Sequence, residues 1–524
     1  MEKLKRGFVF SSAKFVLILI VFLTVIYIGI GGVDFGYHQD EQNTTGLVNK
    51  YIRTGNILPS WYAYPSLTTY LPVFATVPYA IPYVAHYGFD PKLLKNYVLK
   101  NVVRGNSTFL LNIRKVFILT ASASVLWVYL VCLAWGRTWK EALLAASLLG
   151  FSWEVGYHSR WVAPDAIMMQ FGVLAILLTM IGVRQDKGRL KWFILSAAAA
   201  GLATSTKYPG GLLIVPVGVA VFLFREKDSS VRILLRNLIL VSVVFIIAYL
   251  VMTPGTILEF DIFIENVLGE IGHYARGHGP HTVGAGWEHF TLIITYLSRV
   301  VFSPYQPIAI FFFMASILGG WAIFKESPYQ ALVFICFPLL YIFYFSSQKV
   351  MFVRNLLVLV PFLAVLSARG IFAIFGWLKK PKFNLAFTLM ITAMLAMNIY
   401  WGMQAMRSIQ LIGTNADIQI LAREIKSNPQ LTYLLSDHVW QVLEPFAPFE
   451  NAVRTPSERV DRVAFYSDEM KKPGVWPINR PGSAPRSLGP FEINLDYYAG
   501  WQGENRILIT TPDRAEQIGV LISK

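Results

Sequence analysis

The stretch "YPSLTTYLPVFATVPYAIPYVAHYG", residues 64–88, is long and uncharged enough to cross a bilayer. Its reading decides the fold, because one extra crossing reverses the sidedness of everything after it. Pro72, Pro78 and Pro82 count against a plain spanning helix, since each removes a backbone donor and crowds the preceding turn. Positive charge decides the matter. With 64–88 lying on the surface, one membrane face receives Lys3, Lys5, Arg6, Arg137, Lys140 and the basic clusters at 184–191 and 225–236. Lys325, Lys379, Lys380 and Lys382 join them. The short loops of the other face keep only Arg160, Lys207, Lys349 and Arg354. Loops rich in Lys and Arg are cytoplasmic, so 64–88 is placed at the outer interface, packed on a bundle.

The rest of the chain fits that frame. Its 524 residues are 55% hydrophobic and only 15% charged, with a mean hydropathy of +0.50. Such values argue for a polytopic membrane protein rather than a soluble enzyme. The net charge of +15 belongs to the cytoplasmic loops and not to a nucleic-acid surface, because the basic residues lie in short clusters between apolar runs. Cys132 and Cys336 each sit inside an apolar run and define no disulfide framework, metal signature or redox motif. The basic start and long apolar core of residues 1–32 predict an uncleaved first span. Further spans are expected near 116–135, 141–157, 162–183, 192–206, 208–224, 235–252, 304–324, 329–346, 351–368 and 384–402, about eleven in all. The Ala-rich run at 192–206 suits close helix packing.

The expected fold class is therefore an all-α polytopic membrane bundle, residues 1–402, with a cytoplasmic N-terminus. A first outer loop at 33–115 carries interfacial helices, and a second outer loop covers 253–300. After Trp401 hydropathy falls. "NADIQILAREIKS" (415–427) sets Ile418, Leu421, Ala422 and Ile425 at helical spacing behind an Asn/Asp start. "LTYLLSD" and "RILITT" read as buried strands, and 451–490, rich in Pro, Gly, Arg and Ser, reads as loop. Residues 403–524 are thus expected to form a small extracytoplasmic α/β domain.

On this topology the unusual polar residues share the outer face. "DFGYHQDEQN" (34–43) puts Asp40 and Glu41 just past the first span, beside His38. Asp40 reads equally as a helix N-cap and as a general base at the mouth of a bundle. In "YHSRWVAPDAIMMQF" (157–171), Asp165 opens a span behind Pro164, where an acidic residue suits the helix dipole and can also pair with a cation such as Arg160. Lys207, followed by Tyr208, lies between two short spans; Lys349 and Arg354 flank the start of another. Each cation reads either as a snorkelling side chain or as a phosphate ligand. In "HYARGHGPHTVGAGWEHF" (273–290), His273, His278, His281 and His289 match no zinc spacing, and the glycines point to a mobile surface loop that gates a site. The sequons at Asn43 and Asn106 carry weight only in a eukaryotic lumen.

In this order and topology, these motifs resemble the GT-C membrane glycosyltransferases. The similarity is strongest to the dolichyl-phosphate-mannose protein mannosyltransferases and the bacterial lipid A aminoarabinose transferases. It covers roughly residues 15–402 and rests on the Asp40–Glu41 pair, "YPSLTTYL", "IRKVFILTASASVLWVYLVCLAWGR", "HSRWVAPDAIMMQF", "STKYPG" and "VRNLLVLVPFLAVLSARG". The resemblance implies an inverting transfer of a sugar from a polyprenyl-phosphate carrier to a protein, lipid or glycan acceptor at the outer face of the plasma (inner) membrane. It assigns catalysis to Asp40, Glu41 and Asp165. Substrate binding falls to His38, Tyr64, Arg160, Lys207, Tyr208, Lys349 and Arg354, with Lys207 and Arg354 on the phosphate side. No cofactor is implied, although paired acids leave room for a divalent cation; the partners are the lipid-linked donor, the acceptor and membrane lipids, not nucleic acid. Two departures stand out. The aminoarabinose transferases carry a lysine before a Pro-Pro pair where this chain reads Tyr64-Pro65-Ser66. The large luminal domain of the protein mannosyltransferases has no counterpart. The rival readings are a lipid-linked-glycan flippase, which would carry ionisable groups at mid-bilayer and internal repeats, and a noncatalytic scaffold.

Overall fold

The structure is a computed structural model, and it describes residues 12–31, 33, 39–102, 107–226, 230–278, 281–378, 380–413, 416–436, 439–440, 443, 449–455, 460–466, 486–488, 491–493 and 507–513. Each apolar run expected to span is helical. Among the described residues, eight helices are long and apolar enough to cross a membrane, at Lys14–Gly31, Thr108–Ala134, Pro164–Arg184, Val231–Met252, Gln306–Glu326, Pro328–Ser346, Val353–Trp377 and Pro381–Tyr400. The three remaining runs form shorter helices: Trp139–Gly150, Arg189–Thr204 and the stretch Tyr208–Leu223. Their shortness has local causes. Phe151-Ser152 ends the first of these and Ser152 caps the next helix; "TKYPGG" breaks the run between the other two.

Residues 64–88 do not form one helix. Leu67–Tyr70 is a single helical turn, Leu71–Thr76 a 3₁₀ turn with Pro72 near its start, and Val77–Tyr87 a short helix. Asp90 then caps Pro91–Asn101 by accepting from Lys92 N and Leu93 N at 2.8 and 3.0 Å. The three pieces follow one another without a gap over residues 67–87, with the change of helix type falling at Leu71-Pro72.

The core gathers around Pro164–Arg184, most of whose residues are buried. It packs on Ser107–Ala134 and Arg189–Thr204, and the Ala-rich face of the latter is buried at Ala197, Ala199, Ala200 and Ala203. Gln306–Glu326 and Val360–Trp377 cross closely enough that a Cβ on Gly319 would collide with the Leu366 carbonyl, and one on Gly370 with the Ala315 carbonyl. Cys132 and Cys336 are free thiols.

Beyond the bundle, Ala416–Ser427 is a helix. It buries Leu421, Ala422 and Ile425 against Tyr433 and Leu435. Tyr433–Leu435 pairs in parallel with Ala452–Val453 on one side and with Arg462–Tyr466 on the other. Ile507–Thr510 adds antiparallel to Arg462–Tyr466, with Ala464 opposite Ile509. Arg486–Leu488 and Phe491–Ile493 form a separate antiparallel ribbon. The loop expectation for 451–490 is corrected here: Ala452–Val453, Arg462–Tyr466 and Arg486–Leu488 within it are strands. The apolar alternation of "RVAFY" was masked by the Pro, Gly and Arg around it.

Candidate active site

Asp165 sits in the first turn of Pro164–Arg184, with Pro164 starting the helix. It is 2% exposed. Lys207 precedes the 3₁₀ turn Tyr208–Leu213 in an extended conformation, which turns its ammonium back into the bundle, 2.6 Å from Asp165 Oδ1. The same ammonium donates to Asn355 Oδ1. Asn355 is fixed in turn. Its Nδ2 donates to Tyr274 OH at 3.1 Å, and its carbonyl accepts from Tyr341 OH at 2.7 Å. Arg354, one residue earlier on the 3₁₀ segment Val353–Leu359, brings Nε to 3.6 Å from Asp165 Oδ2. Its guanidinium lies 5.6 Å from the Trp161 ring and 5.0 Å from that of Phe352.

Asp165, Lys207 and Arg354, far apart in sequence, therefore form one cluster in which two cations face one carboxylate. Burial alone would pull the Lys207 ammonium down, but the Asp165 carboxylate outweighs it and holds it above the usual lysine value. A buried centre with that charge balance favours an anion, because little solvent is present to screen it.

Glu41 has a different setting. It is buried against Arg114, whose Nε and Nη2 reach its two oxygens at 3.1 and 2.5 Å, and it also accepts from Val162 N at 3.1 Å. Arg114 Nη1 binds the Val33 carbonyl at 2.9 Å. The bidentate pair ties the helix Gln39–Thr54 to Ser107–Ala134, and the Val162 bond ties it to the loop that leads into Asp165. Asp40 lies in the first turn of that helix; its side chain, like all of His38, lies outside the described residues.

Arg160 is fully buried, donates from Nε to the Gly156 carbonyl at 3.3 Å and lies 5.3 Å from the Tyr157 ring. Burial brings its guanidinium down to about 10, which leaves it charged at neutral pH. Tyr208 OH donates to the Tyr62 carbonyl at 2.7 Å. Tyr64 is half-buried and meets Trp61 edge-on at 5.5 Å. Lys349 is exposed, with its backbone N–H bonded to the Tyr274 carbonyl.

The histidine loop is more tightly held than its glycines predict. Met351 N binds the His281 carbonyl, Val283 N binds the Lys349 carbonyl, and Thr282 bridges to Val350. His289 is buried and bonds to the Gln348 carbonyl at 2.9 Å. His273 Nε2 and His278 Nδ1 are 2.8 Å apart, and the His281 ring lies 4.9 Å from Phe352. Backbone pairing with 348–351, which no local pattern announces, converts the expected mobile loop into a docked strap beside Arg354. Among the described residues, no three His, Cys, Asp or Glu side chains gather as a metal site.

Sequence reasoning missed Arg114, Asn355, Trp161 and Tyr274 as members of the site. Asn355 carried a readable signal, a polar residue inside the apolar run "VRNLLVLV". Arg114 did too, as a charge near the head of a span.

Residues 103–255 match the dolichyl-phosphate-mannose-protein mannosyltransferase family, a segment that holds Arg114, Asp165 and Lys207. The fold is similar to that of ArnT from Cupriavidus metallidurans, both bound to undecaprenyl phosphate and in the apo state. In each case the TM-score is 0.51 at 13% identity, covering 83% of this chain and 85% of the other. The S. cerevisiae protein O-mannosyltransferase Pmt1-Pmt2 complex bound to the sugar donor overlaps less, with a TM-score of 0.37 at 16% identity over 50% of this chain and 36% of that one. No curated protein matches the sequence. The architecture is that of the GT-C membrane glycosyltransferases, and the chain is a multi-pass membrane protein. The chain is similar to ArnT in fold and, over residues 103–255, to the protein mannosyltransferases in sequence.

Proposed function

We propose that this protein is an inverting glycosyltransferase that moves a sugar from a polyprenyl-phosphate carrier to an acceptor at the outer face of the membrane. The observation that carries the reading is the buried cluster of Lys207 and Arg354 around Asp165. A donor phosphate entering there exchanges its charge with that of Asp165 for the two cations. As the acceptor oxygen or nitrogen attacks the anomeric carbon, the bond from that carbon to the phosphate oxygen breaks and its electron pair stays on the phosphate. Lys207 and Arg354 hold this developing charge without further reorganisation. The acceptor proton passes to Asp40, the proposed base, and Asp165 is the second acid. Glu41 acts through position: its pair with Arg114 and its bond to Val162 N hold the Asp40 helix against Ser107–Ala134 and the Asp165 loop. Arg160, Tyr64, Tyr208, Lys349 and His38 are proposed to line the substrate path. Lys207 and Arg354 serve the phosphate directly in this scheme, so transfer is expected to survive a chelator such as EDTA.

Binding of undecaprenyl phosphate to the purified protein tests the reading. Arg354 is half-buried, so Arg354→Gln is expected to fold and to weaken binding about tenfold or more, the equivalent of one charge-assisted contact. Equal affinity in wild type and variant would remove Arg354 from the phosphate site.

A further inference from the structure

Trp61 sits at the apex of a clamp. Glu259, just ahead of the helix Phe260–Arg276, holds the residue on each side of it. Its carboxylate accepts from Ser60 Oγ at 2.8 Å, from Ser60 N at 3.2 Å and from Tyr62 OH at 2.5 Å. From the other flank, Lys50 Nζ donates to the Leu58 and Pro59 carbonyls at 2.8 and 3.3 Å and to Ser60 Oγ at 3.1 Å. Ser60 has φ 56°, a left-handed conformation that persists where surroundings impose it. The Tyr62 hydroxyl occupies the space a Cβ on Gly255 would need.

This scaffolding fixes the backbone of a residue whose own indole is left half-buried. It does so beside the anion centre. Tyr208 OH binds the Tyr62 carbonyl, Leu67 N binds the Ser205 carbonyl, and Thr68 Oγ1 donates to the Thr206 carbonyl at 3.2 Å. The segment 62–68 therefore runs beside 205–208, and Tyr64, whose ring Trp61 meets edge-on at 88°, is bracketed against the stretch that carries Lys207.

A sugar ring presents a face of C–H bonds polarised by its oxygens, and the negative face of an indole attracts it as it attracts the positive edge of another ring. In a sugar phosphate that ring is one bond from the phosphate. We propose that Trp61, set by the Glu259 clamp, is the stacking surface for the donor's sugar ring and helps to select it; the proposal rests on the glycosyltransferase reading above. An indole at a membrane interface also suits a lipid belt, but a belt residue needs no clamp and does not distinguish a sugar from its absence.

The test compares binding of undecaprenyl phosphate with binding of the same lipid phosphate carrying mannose, glucose or arabinose. At least one sugar-bearing lipid is expected to bind wild type more tightly than the bare phosphate. Trp61→Ala should lose about tenfold of that gain, Trp61→Phe should keep most of it, and neither should change affinity for the bare phosphate. Retention of the gain in Trp61→Ala, or no gain for any sugar in wild type, overturns the proposal. Failure of wild type to bind the bare phosphate overturns the glycosyltransferase reading itself, and this proposal with it.

Discussion

Glu41 and Asp165 show how far one carboxylate differs from another in the same bundle. Glu41 is saturated by Arg114 and Val162 N, whereas Asp165 shares its charge with two cations that a ligand can claim. Removing one partner of a buried pair strands the other, at a cost of about 3–5 kcal/mol. Glu41→Ala is therefore expected to lower the thermal midpoint in detergent and to speed amide exchange around residue 162. An unchanged midpoint would contradict the structural role given to the pair. The charged members of the Asp165 cluster were legible in the sequence because ionisable residues in apolar runs stand out. Their mutual distances were not, since Lys207 and Arg354 reach Asp165 only through tertiary packing. Trp161 and Tyr274 gave no signal, because an aromatic residue at a loop end has many ordinary reasons to be there.

Among elements, the crossing of Gln306–Glu326 with Val360–Trp377 depends on two missing methyl groups, at Gly319 and Gly370. Gly319 faces the Leu366 carbonyl, while its neighbour Gly320 has open space around its Cβ position. Gly319→Ala should destabilise by roughly 1–3 kcal/mol through overpacking; Gly320→Ala should be neutral or slightly stabilising through helix propensity. Equal melting of the two variants would refute the packing assignment. The docked strap at 281–284 makes a second prediction. Burial, then the neighbouring His278 and Arg354, pushes His281 down to about 4. Its folded-state value lies below that of the unfolded chain, so the stability it contributes is present above about pH 6.5 and is lost as pH falls toward 4. The protection factors of the strap's amides, which remove the intrinsic pH dependence of exchange, should fall over that window, and His281→Gln should flatten the dependence. An identical pH profile in the variant would exclude His281 as the cause. The helices themselves were readable from apolar run length, and the break in 64–88 from its prolines. The strap was not, since its pairing partner lies some seventy residues away and its own glycines speak only for freedom.

For the molecule as a whole, the account needs the Asp40 helix, the Asp165 loop and the Lys207 turn to open on the outer face, opposite the basic loops. A cysteine introduced at position 40 should react with an impermeant reagent applied from outside; reaction only after permeabilisation would reverse the sidedness. The bundle was legible because a bilayer allows few solutions for a chain this apolar. The tail was half legible: its helix and the strands Tyr433–Leu435 and Ile507–Thr510 obeyed local periodicity, while Arg462–Tyr466 lay hidden in a stretch with the composition of a loop. The most direct measurement of the central claim is independent of the sugar. Purified protein is given the pooled polyprenyl-phosphate sugars and acceptor fraction of its source cells, and the free polyprenyl phosphate released is quantified by mass spectrometry. The account predicts acceptor-dependent release by the wild type and near-complete loss in a folded Asp40→Asn variant. Equal release by both, or none by the wild type, would contradict it.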